Sequence, residues 1–125
     1  MDIEEQIEYW KTGSAEDLAA AESLFEKGHL RHCLFLAHWA LEKMLKAHVT
    51  RQTRVMPPRI HSLPRLAAMA GLKLDGEQMD FLREFGAYQI EGRYPDAEQL
   101  EIDSDLAREE LRGTREMLAW LSRQL

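Results

Sequence analysis

The stretch Cys33-Leu-Phe-Leu-Ala-His-Trp-Ala-Leu-Glu-Lys-Met-Leu-Lys-Ala-His48 is the longest nearly continuous apolar run in the chain, and it reads as a helix. Leu34, Ala37, Leu41 and Met44 form one stripe, and Phe35, Leu36, Trp39 and Ala40 fill its flanks. A helix that is apolar most of the way round belongs in the middle of a bundle. The polar residues that interrupt it, His38, Glu42, Lys43 and Lys46, recur three to five apart. They therefore share a sector and are placed to face a cleft together.

Residues 2 to 27 read as a preceding helix. Asp2 with Glu5 resembles a capping box, and Ile3, Ile7, Trp10, Ser14, Leu18, Ala21 and Phe25 repeat at three and four. The small pair Gly13-Ser14 lets a neighbouring helix approach closely, although a glycine there also favours a bend. Lys27-Gly28 is a stop signal, and the short connection after it makes the central helix, about residues 29 to 50, antiparallel to the first. Pro57-Pro58 then excludes helix, and Ser62 before Leu63-Pro64 restarts a short third helix that ends near Gly71. Asp75 with Gln78 opens a fourth, with Met79, Leu82 and Phe85 on its apolar face and Phe81 and Tyr88 beside it. Gly92 and Pro95 break that pattern within Ile90–Asp96. Asp103 or Ser104 starts the last helix, which carries Ala107, Leu111, Thr114, Leu118, Leu121 and Leu125 in heptad-like spacing. The sequence holds no strand candidate and no internal repeat. The expected fold is all-α, an up-and-down four-helix bundle with one additional short helix, in a single domain over residues 1–125.

At 125 residues the chain is long enough for one buried core and too short for two. No apolar run approaches the roughly 20 residues that span a membrane, and the first residues, Met-Asp-Ile-Glu-Glu, are acidic where a signal peptide is basic. A cytoplasmic location with no membrane partner is expected. The single cysteine, Cys33, lies within the apolar run and reads as a small core residue. A net charge of −6 argues against a surface that coats nucleic acid. Yet between Lys43 and Leu74 there are seven Lys or Arg and no Asp or Glu. That asymmetry suggests a local anion site on an acidic body, or alternatively a basic loop and helix end that are merely solvated.

Three phrases, in order, carry a resemblance: Phe35-Leu-Ala-His-Trp-Ala-Leu-Glu-Lys-Met-Leu-Lys-Ala47, Pro57-Pro-Arg-Ile-His-Ser-Leu63, and Tyr88-Gln-Ile-Glu-Gly-Arg-Tyr-Pro-Asp96. Together with Tyr9-Trp10 and Asp17-Leu18, the set resembles the HEPN domain (higher eukaryotes and prokaryotes nucleotide-binding) over nearly the whole chain. The resemblance implies a helical bundle that commonly forms a homodimer. It implies too a nucleotide- or RNA-binding role beside a minimal nucleotidyltransferase, in a two-gene module of toxin-antitoxin type. No cofactor is implied. A subset of the family cleaves RNA with an Arg, four to six residues and a His.

Two pairs fit that loose pattern, Arg31 with His38 and Arg54 with His61. Histidine suits the removal of a 2′-hydroxyl proton near neutral pH, and arginine the holding of a phosphate as charge builds. Family nucleases carry the motif late in the bundle, however, and no histidine follows Arg93. As a metal-independent nuclease the chain would use His61 as base and Arg54 as phosphate clamp. As a binding protein it would line a groove with Lys43, Lys46, Arg54, His61 and Arg93, with Tyr88 and Tyr94 contacting a base. A third reading, a ligand-free interaction subunit, uses none of them.

The same residues have plainer readings. His38 reads as a hydrogen-bonded core or dimer-contact histidine, and His61 as a brace for the short helix. Glu42 and Lys46 form an intrahelical pair at i, i+4. Arg93 and Tyr94 anchor the irregular segment, and Trp10, Trp39 and Trp120 read as core or interface. His29 and His32 have metal-ligand spacing but no third ligand suitably placed, so no metal site is assigned.

Overall fold

A computed structural model describes residues 1–91 and 101–125, with the backbone alone at 90 and 91. Among these residues there are six helical segments and no strand: α1 (Ile3–Glu26), α2 (Leu30–Thr53), α3 (Leu63–Met69), α4 (Gly76–Phe85), α5 (Ala87–Glu91) and α6 (Ser104–Gln124). The expected four-helix bundle with its short extra helix is what forms. The fourth helix is ten residues long, and Gly86 separates it from the single turn of α5. No helix among the described residues is long and apolar enough to cross a membrane.

The local signals act where the sequence places them. Asp2 and Asp75 each close a capping box, with Glu5 and Gln78 reaching back to the cap N–H. Ser62 caps α3 and Asp103 caps α6. Gly28, at φ 82°, ends α1 in a Schellman arrangement: the His29 N–H donates to Leu24 O at 2.9 Å and the Gly28 N–H to Phe25 O at 3.1 Å.

The central helix outruns its expected end by one turn. Arg51-Gln-Thr53 are polar and add nothing to the apolar repeat, yet nothing in them opposes helix. Thr50 Oγ1 donates to Lys46 O and Thr53 Oγ1 to Val49 O, both at 2.8 Å, and the helix stops only at Arg54, which takes the left-handed conformation at φ 61°.

The core sits on α2, where Cys33, Leu34, Ala37, Ala40, Leu41, Leu45, Ala47 and Val49 are fully buried. α1 lies closest to it. At their contact Ser14, itself buried, donates its hydroxyl to Ala40 O at 2.7 Å. One residue earlier, a Cβ on Gly13 would stand 3.0 Å from Lys43 Cδ, so the glycine makes room for the stem of a lysine. α6 closes another side with Ala107, Leu111, Thr114, Met117, Leu118 and Leu121. α3 and α4 cover what remains through Leu63, Leu66, Leu82 and Phe85.

Candidate functional site

Glu42 is the residue on which the polar sector of α2 converges. It lies on the central helix with its side chain only 9% exposed. Its Oε2 accepts from Lys46 Nζ at 3.0 Å, one helical turn on, in the acid-before-base order that favours an i, i+4 pair. From the loop after α2, His61 Nδ1 approaches the two carboxylate oxygens at 3.2 and 3.1 Å. His38 Nδ1 stands 3.7 Å from Oε1, a charge contact longer than a hydrogen bond. A carboxylate only accepts, so His61 Nδ1 carries the proton it donates. Nε2 is then the ring atom available to a ligand.

His61 arrives at this carboxylate because of the chain around it. Pro57, buried, seats the loop against the bundle, the Ile60 N–H donates to Pro58 O at 2.9 Å, and Leu63 enters the core directly after the Ser62 cap. While Glu42 is buried, the His61 side chain is 45% exposed, so it spans from the floor of the site to solvent.

Two tryptophans wall the cleft. Lys46 Nζ lies 5.6 Å from the Trp10 ring centre and Lys43 Nζ 5.5 Å from that of Trp39, both within cation–π range. Lys43 is also paired with Asp17 of α1 at 2.8 Å. Trp10, Trp39, Glu42, Lys43 and His61 enclose a cleft of about 260 Å³. On the other side of Trp10 an apolar groove of about 330 Å³ runs over Tyr9, Pro57 and Pro58, with Arg59 and Lys46 in its lining. Arg59 is exposed and makes no ion pair with a described residue.

Of the residues singled out from sequence, Lys43, Lys46 and His61 share this cleft or its wall. Arg54 does not join them. Its guanidinium pairs with Glu4 at 3.0 Å beside the start of α1, and it lies twelve residues beyond Glu42, about 18 Å along a helix rising 1.5 Å per residue. Tyr88 lies behind the site: its ring meets Phe85 edge-on at 4.9 Å, and its hydroxyl donates to Glu110 of α6 at 2.7 Å. Burial there pushes the Glu110 carboxyl above its usual range, with the Tyr88 hydroxyl opposing the shift. Arg93 and Tyr94 fall outside the described residues. Arg31 and His38 lie on α2 as the sequence indicates, with His38 buried beside Phe85, the ring centres 6.4 Å apart.

Glu42 falls on the cleft-facing sector that the sequence indicates, but its place as the hub, and the places of Trp10 and Trp39 as cleft walls and of Arg59 at the groove, leave no mark in the sequence. Glu42 and Lys46 were legible as a pair, but nothing in their spacing shows that a histidine nineteen residues beyond Glu42 completes it. Among the described residues no group of three or more His, Cys, Asp and Glu is placed to hold a metal ion.

The fold and cleft together define a small helical-bundle protein with a carboxylate-held histidine at the edge of an aromatic-walled recess. The HEPN domain model matches residues 7–124, and the chain belongs to that family. Its structure is similar to that of TT1696 from Thermus thermophilus, with a TM-score of 0.82 at 22% identity over 96% of this chain and 98% of the other. It is also similar to ST0689, an archaeal HEPN homologue, with a TM-score of 0.75 at 20% identity over 94% and 96% of the two chains. At these identities the likeness is one of fold. No curated protein matches the chain.

Proposed function

We propose that this protein is the nucleotide- or RNA-binding half of a two-component module with a minimal nucleotidyltransferase, acting as a homodimer of toxin-antitoxin type. The observation that carries the reading is the meeting of Lys46 and His61 on Glu42 beneath Trp10 and Trp39. A phosphate entering the cleft finds the His61 ring at its edge, where Nε2 donates to it when the ring is doubly protonated, and the exposed Arg59 beside the neighbouring groove, and a base finds aromatic faces. Arginine supplies planar multi-donor contacts that suit phosphate, and base–aromatic stacking tolerates any base. Glu42 holds the Lys46 ammonium and the His61 ring in place when no ligand is present.

The test is fluorescence anisotropy of a labelled single-stranded RNA, with nucleotides as competitors, on wild type, His61→Ala and Arg59→Ala. Weakening in both variants with unchanged thermal stability supports the site. Equal affinity in all three proteins, or no binding at all, refutes it. An adjacent nucleotidyltransferase gene whose product co-purifies with this chain supports the module, and its absence removes that part of the proposal.

A second reading, a metal-independent endoribonuclease, draws support from the Glu42–His61 contact. A carboxylate that fixes one imidazole nitrogen and leaves the other outward is the arrangement general bases use. In this reading His61 takes the 2′-hydroxyl proton. Since Arg54 is held by Glu4 within the same chain, the phosphate clamp falls to Arg59. Incubation with labelled RNA in EDTA decides the matter: cleavage by wild type and not by His61→Ala supports it, whereas cleavage lost only in His38→Ala moves the base to α2.

A further inference from the structure

We infer that the groove between α4 and α6 is a docking surface for a basic amphipathic helix of a protein partner. With a volume of about 380 Å³ it is larger than the cleft around Glu42 and the apolar groove beside Trp10. It shares no lining residue with either, so it stands apart from the proposed binding of nucleotide or RNA.

The shape fits a helix. On α6 the residues Glu109, Gly113, Met117, Trp120 and Arg123 line the groove at spacings of three and four, so they form one stripe along that helix. From 109 to 123 the stripe runs about 21 Å at 1.5 Å per residue, the length of a helix of three to four turns. Phe81 of α4 lies against it at Gly113, where a Cβ would stand 2.7 Å from the ring's Cε1 and displace it. A glycine inside a helix costs about 1 kcal/mol relative to alanine, and here it is what lets the ring in. Phe81, Met117 and Trp120 pack on the core and give the groove an apolar floor, and Phe81 and Trp120 are only partly buried. An amphipathic helix lays its apolar face into a groove of this kind through anchors at i, i+3 or i+4, and i+7.

The charge selects a basic occupant. Four carboxylates, those of Glu77, Glu109, Glu110 and Glu116, line the groove against the guanidinium groups of Arg112 and Arg123. Arg112 is already held between Glu109 and Glu116 on its own helix, and Arg123 stands at the end of the stripe. Glu110 is half-buried and lies near both Glu84 and Glu109. Burial first, and then these two charges, hold its carboxyl above the usual range against the Tyr88 hydroxyl. A lysine or arginine seated there offsets the crowding of like charge, whereas an acidic helix adds to it. The same carboxylates repel phosphate, which separates this surface from the ligand proposed for the cleft. The net charge of −6 draws a basic partner towards the protein before contact.

The probe is a synthetic amphipathic peptide of leucine and lysine at helical spacing, about fourteen residues long to match the stripe, beside a leucine–glutamate peptide of the same pattern. Each is titrated into wild type and two double variants, and NMR follows the tryptophan indole N–H groups. Glu77→Gln with Glu116→Gln removes two exposed acids from the groove, and Glu16→Gln with Glu26→Gln removes two from exposed positions on α1. The leucine–lysine peptide is expected to bind wild type and to shift the Trp120 indole N–H while that of Trp39 stays in place. Its affinity falls about fivefold in the groove variant, the scale of two surface ion pairs, and by less than about twofold in the α1 variant. No binding of this peptide, or a shift at Trp10 or Trp39 in place of Trp120, overturns the docking surface. Equal weakening in both variants, or equal binding of the leucine–glutamate peptide, overturns it as well. A Trp120 shift on concentrating the protein without peptide gives the groove to a second copy of the chain and also overturns the inference. The cleft proposal stands in every one of these cases.

Discussion

His61 Nδ1 lies 3.1 Å from Glu42 Oε2, joining a loop residue to the central helix nineteen positions earlier. That contact places an exposed imidazole over a buried carboxylate already paired with Lys46, so one acid organises the floor and the edge of the cleft.

Because the Glu42 and Lys46 side chains are each 9% exposed, removing one strands the other. Glu42→Ala is expected to cost about 3 kcal/mol, the scale seen when one partner of a buried pair is lost. The double change Glu42→Ala with Lys46→Met should recover much of that, as measured by urea unfolding. Equal instability of the single and double variants contradicts the pairing.

Ser14 sets the approach of α1 to α2 through its buried bond to Ala40 O. Ser14→Ala removes one hydrogen bond and should cost about 1 kcal/mol. Ser14→Leu forces the helices apart and should cost more, up to about 3 kcal/mol for overpacking. Thermal melts of the two variants order them in that sequence.

His48 is buried, and its Nε2 donates to Leu121 O at 2.8 Å, tying α2 to α6. Burial lowers its pKa below 6.5, with the carbonyl bond opposing and the Arg51 charge adding to the shift. The unfolded chain therefore takes up this proton first as pH falls. The stability is present above pH 6.5 and is lost progressively below it, towards the folded-state value. Glu110 acts in the opposite sense: its raised pKa means the folded form protonates first, so acid relieves a cost present at neutral pH. His48→Gln keeps a donor for Leu121 O and has no proton to take up. It should flatten the fall in stability between about pH 7 and pH 5.

The Cys33 thiol is fully buried, and burial, helped by the Glu22 carboxylate, pushes its pKa to about 11. The thiolate is the reactive form. A disulfide reagent at neutral pH should therefore find no reactive thiol in the native protein and one in denaturant. Rapid native labelling would show that the helix pair opens at α2.

The bundle was legible because its signals are local. Two capping boxes, Gly28 and the proline pair each act on their own neighbourhood, and the all-round apolar run from Cys33 to His48 has only one place to go. The one-turn extension to Thr53 was not legible, because a solvent-facing turn leaves no periodic trace. The cleft was half legible: Lys43 and Lys46 follow from the helix face, but His61 and Arg54, seven residues apart in a basic loop, look equivalent in sequence. Arg54 ends α2 and turns to Glu4, whereas the chain beyond Pro57-Pro58 carries His61 back to Glu42.

The most direct test is NMR of the histidine rings during titration with a single-stranded RNA or nucleotide. The His61 Nε2 resonance is expected to move in step with ligand occupancy, while that of His29, at the far end of the α1–α2 hairpin, stays where it was. Ligand binding that leaves His61 unchanged, or that moves His29 instead, would contradict the assignment of the cleft.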